Sequence, residues 1–261
     1  MTVTKKILCL PGYLQSGKVF AEKSSGLRKL LTKKLNLQLD YVNPPFVIKN
    51  KEDLPFILAE EVEDADQKWK SIIDQNCNRC WWQHQDPNVY EGFDESLKFL
   101  VEYIKTNGPY DGIIGFSQGA AMSAIVTNVI SELLPNHKNF QIAVFFSGFA
   151  FTEPVDPSKD NKLNLNYHID DINEYKTKVK IINSYERYYN DMHSNTKILN
   201  IYGSKDMTVP GIRSQYLSTT FKNENLTEYI HEGGHFIPNK KQFLSPIIED
   251  FREIFDIRSN L

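Results

Sequence analysis

The chain has 261 residues, a formal net charge of −3 and 12% aromatic residues. One large core is within its reach, and the slightly acidic balance excludes the basic footprint of a nucleic-acid binder. No apolar run has the length of a bilayer span, the start does not read as a signal peptide, and three cysteines are an odd count for a disulfide framework, so a reducing, cytoplasmic setting is expected.

In chain order the pattern alternates strand and helix. Lys6 to Leu10 reads as a short apolar strand ended by Pro11-Gly12. Val19, Phe20, Leu27, Leu30, Leu31 and Leu35 then recur at helical spacing. Leu37 to Val42 is a second strand, stopped by Pro44-Pro45. Phe46 to Tyr90 lacks a clear period and reads as an excursion over the sheet, with Trp69, Trp81 and Trp82 clustered in it. Phe93 to Ile104 is an amphipathic helix stopped by Asn107-Gly108-Pro109.

A buried strand and a helix reaching about Leu134 flank Gly115 to Gly119, and Gln141 to Ser147 is the next strand. Asn161 to Asn195 is polar and tyrosine-rich, a second insertion or a mobile loop. Lys197 to Tyr202 is a strand, Ile212 to Phe221 a helix, Leu226 to His231 a last strand and Lys240 to Phe255 a closing helix. Strands alternating with helices imply crossover units and a mainly parallel sheet of about six strands with helices on both faces. One domain over residues 1–261 is expected, with excursions at about 44–92 and 155–196. The sequence carries no sign of an oligomeric state.

The chemistry concentrates at three strand ends. Gly115-Phe116-Ser117-Gln118-Gly119 fits the nucleophile-elbow pattern G-x-S-x-G. A serine there must sit on a strained turn, and side chains at the flanking glycines would collide. An alkoxide nucleophile needs a base, and the base needs a carboxylate to fix its tautomer. Asp206 follows the strand Lys197 to Tyr202, and His235 follows the strand Leu226 to His231 through Gly233-Gly234. Serine, acid and histidine thus occur in the order that this fold class uses. Two oxyanion donors are expected: the Gln118 amide and, in the loop after the first strand, the Tyr13 amide, with Leu14 the next choice.

These residues resemble the eukaryotic family of serine hydrolases within the α/β-hydrolase superfamily, the group of the human ovarian-cancer-gene-2 esterase and several fungal hydrolases. The resemblance rests on L-P-G-Y-L-Q-S-G, N-G-P-Y-D-G-I-I-G-F-S-Q-G-A-A, F-F-S-G-F and G-G-H-F-I-P-N. It implies one α/β-hydrolase domain, a triad of Ser117, Asp206 and His235, and esterase or thioesterase action on small acyl esters without metal or cofactor. One departure is Pro11, where such chains usually carry histidine.

Competing patterns exist. His231-Glu232-Gly233-Gly234-His235 spells H-E-x-x-H, which would make a zinc metalloprotease if it lay on a helix. Two consecutive glycines cost a helix about 1 kcal/mol each, and the preceding residues read as strand. Cys77 and Cys80 form a lone C-x-x-C, short of the four ligands a structural zinc needs, and are expected as unpaired thiols. From a different class, the same fold could bind an acyl ligand without turning it over. The excursion Phe46 to Tyr90 and Tyr185, Tyr188 and Tyr189 are candidates to line the acyl site or simply to pack.

Overall fold

The computed structural model describes residues 4–86, 89–189 and 195–257. Six strands form the central sheet: β1 (Lys6–Leu10), β2 (Gln38–Tyr41), β3 (Gly112–Phe116), β4 (Ile142–Phe146), β5 (Lys197–Gly203) and β6 (Leu226–His231). Their order is β6-β5-β4-β3-β1-β2, and every pairing is parallel. All six carboxyl ends therefore share one rim. The chain turns outward to β2 and then restarts at β3 on the other side of β1, so a crevice opens between the loops after β1 and β3.

Side-chain alternation along the strands explains the two cores. Ile7, Cys9, Ile114, Val144 and Ile201 point to one face. There they meet α1 (Gly17–Lys23), α2 (Ser25–Leu35) and the closing helix, through Phe20, Leu27, Leu31, Ile247 and Phe251. Leu8, Leu10, Ile113, Ala143 and Phe145 point to the other. They meet α4 (Phe93–Asn107) and α5 (Gln118–Leu133). Buried strands on both faces read as near-continuous apolar runs, as in I-A-V-F-F.

Three local differences from the sequence reading have physical causes. The expected helix from Val19 to Leu35 is two helices, because the backbone leaves the helical range at Ser24 (φ −93°, ψ 20°), which caps the first helix and starts the second. The first excursion contains a helix, α3 (Val62–Asp74), and the pairing of Phe46–Val47 with Arg79–Cys80. Val62, Ala65, Trp69, Ile72 and Ile73 recur at helical spacing along α3, but only Ala65 is buried, so the helix lies at the surface of the excursion.

The second excursion is likewise structured: α6 (Lys162–His168), α7 (Ile172–Lys178) and a short strand Val179–Ile181 paired with Thr152–Pro154. Residues 190–194 of that stretch lie outside the described ones. The chain then continues through β5, α8 (Gly211–Ser218), β6 and α9 (Lys241–Ile254). No helix among the described residues is long and apolar enough to cross a membrane.

Candidate active site

Ser117 stands at the junction of β3 and α5 with φ 54° and ψ −120°. A non-glycine residue pays about 1–3 kcal/mol for such a backbone and keeps it only where its surroundings over-determine it. Here they do. The Ser117 amide donates to the Phe146 carbonyl at 2.9 Å, and its own carbonyl accepts from Ala120 and Ala121 in the first turn of α5. A Cβ on Gly115 would lie 2.3 Å from the Gly119 carbonyl oxygen, and one on Gly119 would lie 2.2 Å from that of Leu10. Those two contacts are the steric reason for glycine on both sides of the serine.

Asp206 and His235 come together. Their loops follow β5 and β6, which are neighbours, and the His235 Nδ1 lies 2.7 Å from Asp206 Oδ2. Gly203 allows this approach, since a Cβ there would lie 2.2 Å from the Gly233 carbonyl oxygen. The carboxylate is held at both oxygens. Oδ1 accepts from the amides of Thr208 at 2.9 Å and Val209 at 2.8 Å, and Oδ2 also accepts from the Ser147 hydroxyl at 2.8 Å. Burial pushes the Asp206 carboxyl up, but the bond and charge of His235, with these donors, outweigh it and hold the group below the ordinary carboxylate value. Ionised, Asp206 can only accept, so the His235 Nδ1 points a proton at it and Nε2 is the nitrogen left to exchange one.

The His235 ring lies 4.7 Å from the ring of Phe116, the residue before Ser117. A cleft of about 330 Å³ opens beside it, bounded by Gln15, Phe20, Phe116 and Phe236. The loop after β1 closes the opposite side: a Cβ on Gly12 would lie 3.1 Å from the Ser117 Cβ. In that loop the Gly12 amide donates to Gln15 Oε1 at 3.1 Å and the Leu14 amide to the Arg79 carbonyl at 2.9 Å. Leu14, the second choice for an oxyanion donor, has its amide committed elsewhere. Tyr13 lies between these two tethered amides.

Ser147 is the residue that sequence reasoning passed over as chemistry. It lies at the end of β4 with φ 50°, and its hydroxyl grips the acid. Its place after an apolar strand at the same rim was the available signal.

The competing motifs resolve. His231 ends strand β6, so it and His235 share no helix face. Its Nδ1 accepts from the Gly233 amide at 3.2 Å, and it packs against Phe236 and Phe243. No group of three potential metal ligands occurs among the described residues. Cys77 and Cys80 are free, buried thiols, and burial pushes Cys80 up to about 12. Tyr188 and Tyr189 are core residues, and Tyr185 packs edge-on against Tyr90, Phe93 and Phe151.

A parallel sheet with its strand order reversing at β1, a serine on a forced elbow and a carboxylate–imidazole pair on the next loops define an α/β-hydrolase. Among solved structures, that of Arabidopsis thaliana SOBER1 superposes over 97% of this chain and 100% of its own, with a TM-score of 0.55 and 15% identity.

The chain belongs to the FSH1 serine hydrolase family, whose profile, described as "Serine hydrolase (FSH1)", matches residues 1–247. It is 30% identical over 257 residues to "Family of serine hydrolases 3" of Saccharomyces cerevisiae, covering 95% of this chain and 83% of that one. It is 26% identical over 246 residues to "Esterase OVCA2" of Danio rerio, covering 90% and 91%. A Schizosaccharomyces pombe protein named "Dihydrofolate reductase" matches at 27% identity over 259 residues, and this chain spans 47% of its length.

Proposed function

We propose that this chain is a single-domain carboxylesterase or thioesterase that works through an acyl-enzyme on Ser117. The observation that carries the reading is the Asp206–His235 bond at 2.7 Å, on a carboxylate whose other oxygen is fixed by two amides. A module that only bound acyl chains would have no use for an imidazole oriented by a buried carboxylate.

In this reading the His235 Nε2 takes the proton of the Ser117 hydroxyl as the oxygen attacks the acyl carbonyl. The charge that develops on the carbonyl oxygen is received by the backbone amides of Gln118 and Tyr13. Each such donor is worth about a hundredfold or more in rate. Asp206 stabilises the imidazolium but keeps its own charge. Collapse of the intermediate breaks the bond to the alcohol or thiol, which leaves with the proton from His235. Water then enters, gives its proton to His235, and repeats the sequence on the acyl-serine. The reaction draws on no cofactor, and the cleft of about 330 Å³ beside His235 has the size of a small-ligand site.

A fluorophosphonate probe tests this. It should label the wild-type chain at one site and leave Ser117→Ala unlabelled. Equal labelling of the two would refute the assignment. Graded p-nitrophenyl esters and acyl thioesters, assayed together, set the acyl length and the preferred leaving group.

A further inference from the structure

Residues 79–82 join two parts of the site that are far apart along the chain, the loop after β1 and the elbow. The Trp81 indole Nε1 donates to the Pro11 carbonyl at 2.8 Å, and the Arg79 carbonyl accepts from the Leu14 amide at 2.9 Å. On the other side the Gln118 side chain grips the same segment twice. Its Oε1 accepts from the Trp81 amide at 3.0 Å and its Nε2 donates to the Trp82 carbonyl at 3.0 Å. Ser96 of α4 donates to the Trp81 carbonyl from beneath, and the Trp81 side chain is fully buried.

We propose that Trp81 is a positioning residue for the oxyanion hole. Its indole N–H, anchored to the elbow through the Gln118 side chain, orients the Pro11–Leu14 backbone against Ser117. The inference rests on the reading that the Tyr13 and Gln118 amides receive the oxyanion.

Pro11 makes the device necessary. Proline has no amide hydrogen, so its carbonyl is the one backbone group by which position 11 can be tethered. That carbonyl sits against the first turn of α5, where a Cβ on Gly119 would lie 2.4 Å from its oxygen. It is buried, so it needs a donor, and the Trp81 indole supplies one. Next comes Gly12, the joint of the loop with the most backbone freedom. With the Pro11 carbonyl, the Gly12 amide and the Leu14 amide all tied, little rotation is left to the peptide plane that carries the Tyr13 N–H. Donors held in place before the reaction stabilise developing charge without reorganising. The Gln118 side chain links this loop to the residue whose amide is the other donor, so the two donors are set relative to one another.

The test is Trp81→Phe in the full chain, which keeps an aromatic ring and removes the N–H. Hydrolysis of a p-nitrophenyl ester should lose roughly ten- to a hundredfold in kcat, with KM changed by less than about twofold. The more specific readout is the rate ratio between that ester and its thionoester. Sulfur is a poor hydrogen-bond acceptor, so the ratio reports on the donors, and it should fall in Trp81→Phe toward that of a site lacking one donor.

Wild-type kcat in Trp81→Phe overturns the proposal, and so does a fall in kcat with the ratio unchanged. If Trp81→Phe does not fold, Gln118→Met decides by the same two readouts, because it releases the segment from the elbow and keeps the backbone amide. Ser117→Ala separates the two layers of the argument. Loss of hydrolysis there beside an unaffected Trp81→Phe removes this inference alone, whereas undiminished hydrolysis in Ser117→Ala removes the functional reading and this inference with it.

Discussion

Replacing Asp206 by asparagine isolates the role of the carboxylate. Oδ1 faces two amide donors, from Thr208 and Val209, so the asparagine must keep its oxygen on that side. Its NH2 group then occupies the Oδ2 position, facing the His235 Nδ1 and the Ser147 hydroxyl. The hydroxyl can turn and accept, so Ser147 accommodates the change. The imidazole can accept only by giving up the proton on Nδ1, which moves it to Nε2. The nitrogen meant to take the serine proton is then already protonated.

The fold should persist while kcat on a p-nitrophenyl ester falls about 10⁴-fold, which is about 5.5 kcal/mol in the barrier. Stopped-flow or steady-state release of p-nitrophenol measures it, with circular dichroism checking the fold. A variant that folds and retains activity within about tenfold would refute the tautomer argument.

Ser147→Ala removes one of two donors from Asp206 Oδ2 and is expected to lower kcat about tenfold, since bonds to charged groups contribute about 1.5–3 kcal/mol; unchanged kinetics would show that His235 and the two amides suffice. Gly203→Ala forces a Cβ to within 2.2 Å of the Gly233 carbonyl oxygen, so the Asp206 and His235 loops must separate. It should cost about 1–3 kcal/mol, roughly 2–12 °C in Tm by calorimetry, together with most activity.

His137 and His231 are both held below the ordinary histidine value, chiefly by burial. Each accepts a backbone amide on an unprotonated nitrogen, from Tyr110 at 3.0 Å and Gly233 at 3.2 Å. Below the ordinary value of about 6.5 the unfolded chain binds protons that the folded chain refuses, so stability is full above it and falls as pH drops. Tm should decline from about pH 7 to about pH 5, and His137→Gln with His231→Asn should flatten that decline. An identical slope in the double variant would place the titration elsewhere.

Much of the site was legible because its determinants are local. Glycines at 115 and 119 report a turn that no side chain tolerates, and the structure gives the colliding atoms. The order of Ser117, Asp206 and His235 after apolar strands placed all three at one rim once the sheet was parallel. Less was legible in the excursions. Helix α3 carries an apolar repeat, Val62, Ala65, Trp69, Ile72 and Ile73, but reading the whole of Phe46 to Tyr90 as one aperiodic stretch diluted it among its polar and acidic neighbours. The break at Ser24 lies in the backbone angles of one residue, which the apolar spacing on either side does not encode.

By itself the sequence determined the class of fold, the elbow and the order of the three candidate catalytic residues, because strand burial and backbone sterics act between near neighbours. Tertiary structure alone decided who holds them. Ser147 meets Asp206 across 59 positions, Trp81 meets Pro11 across 70 and Gln118 meets Trp81 across 37. Hydrogen bonds over such separations depend on where the sheet sets each loop, and a linear pattern carries no record of that distance in space.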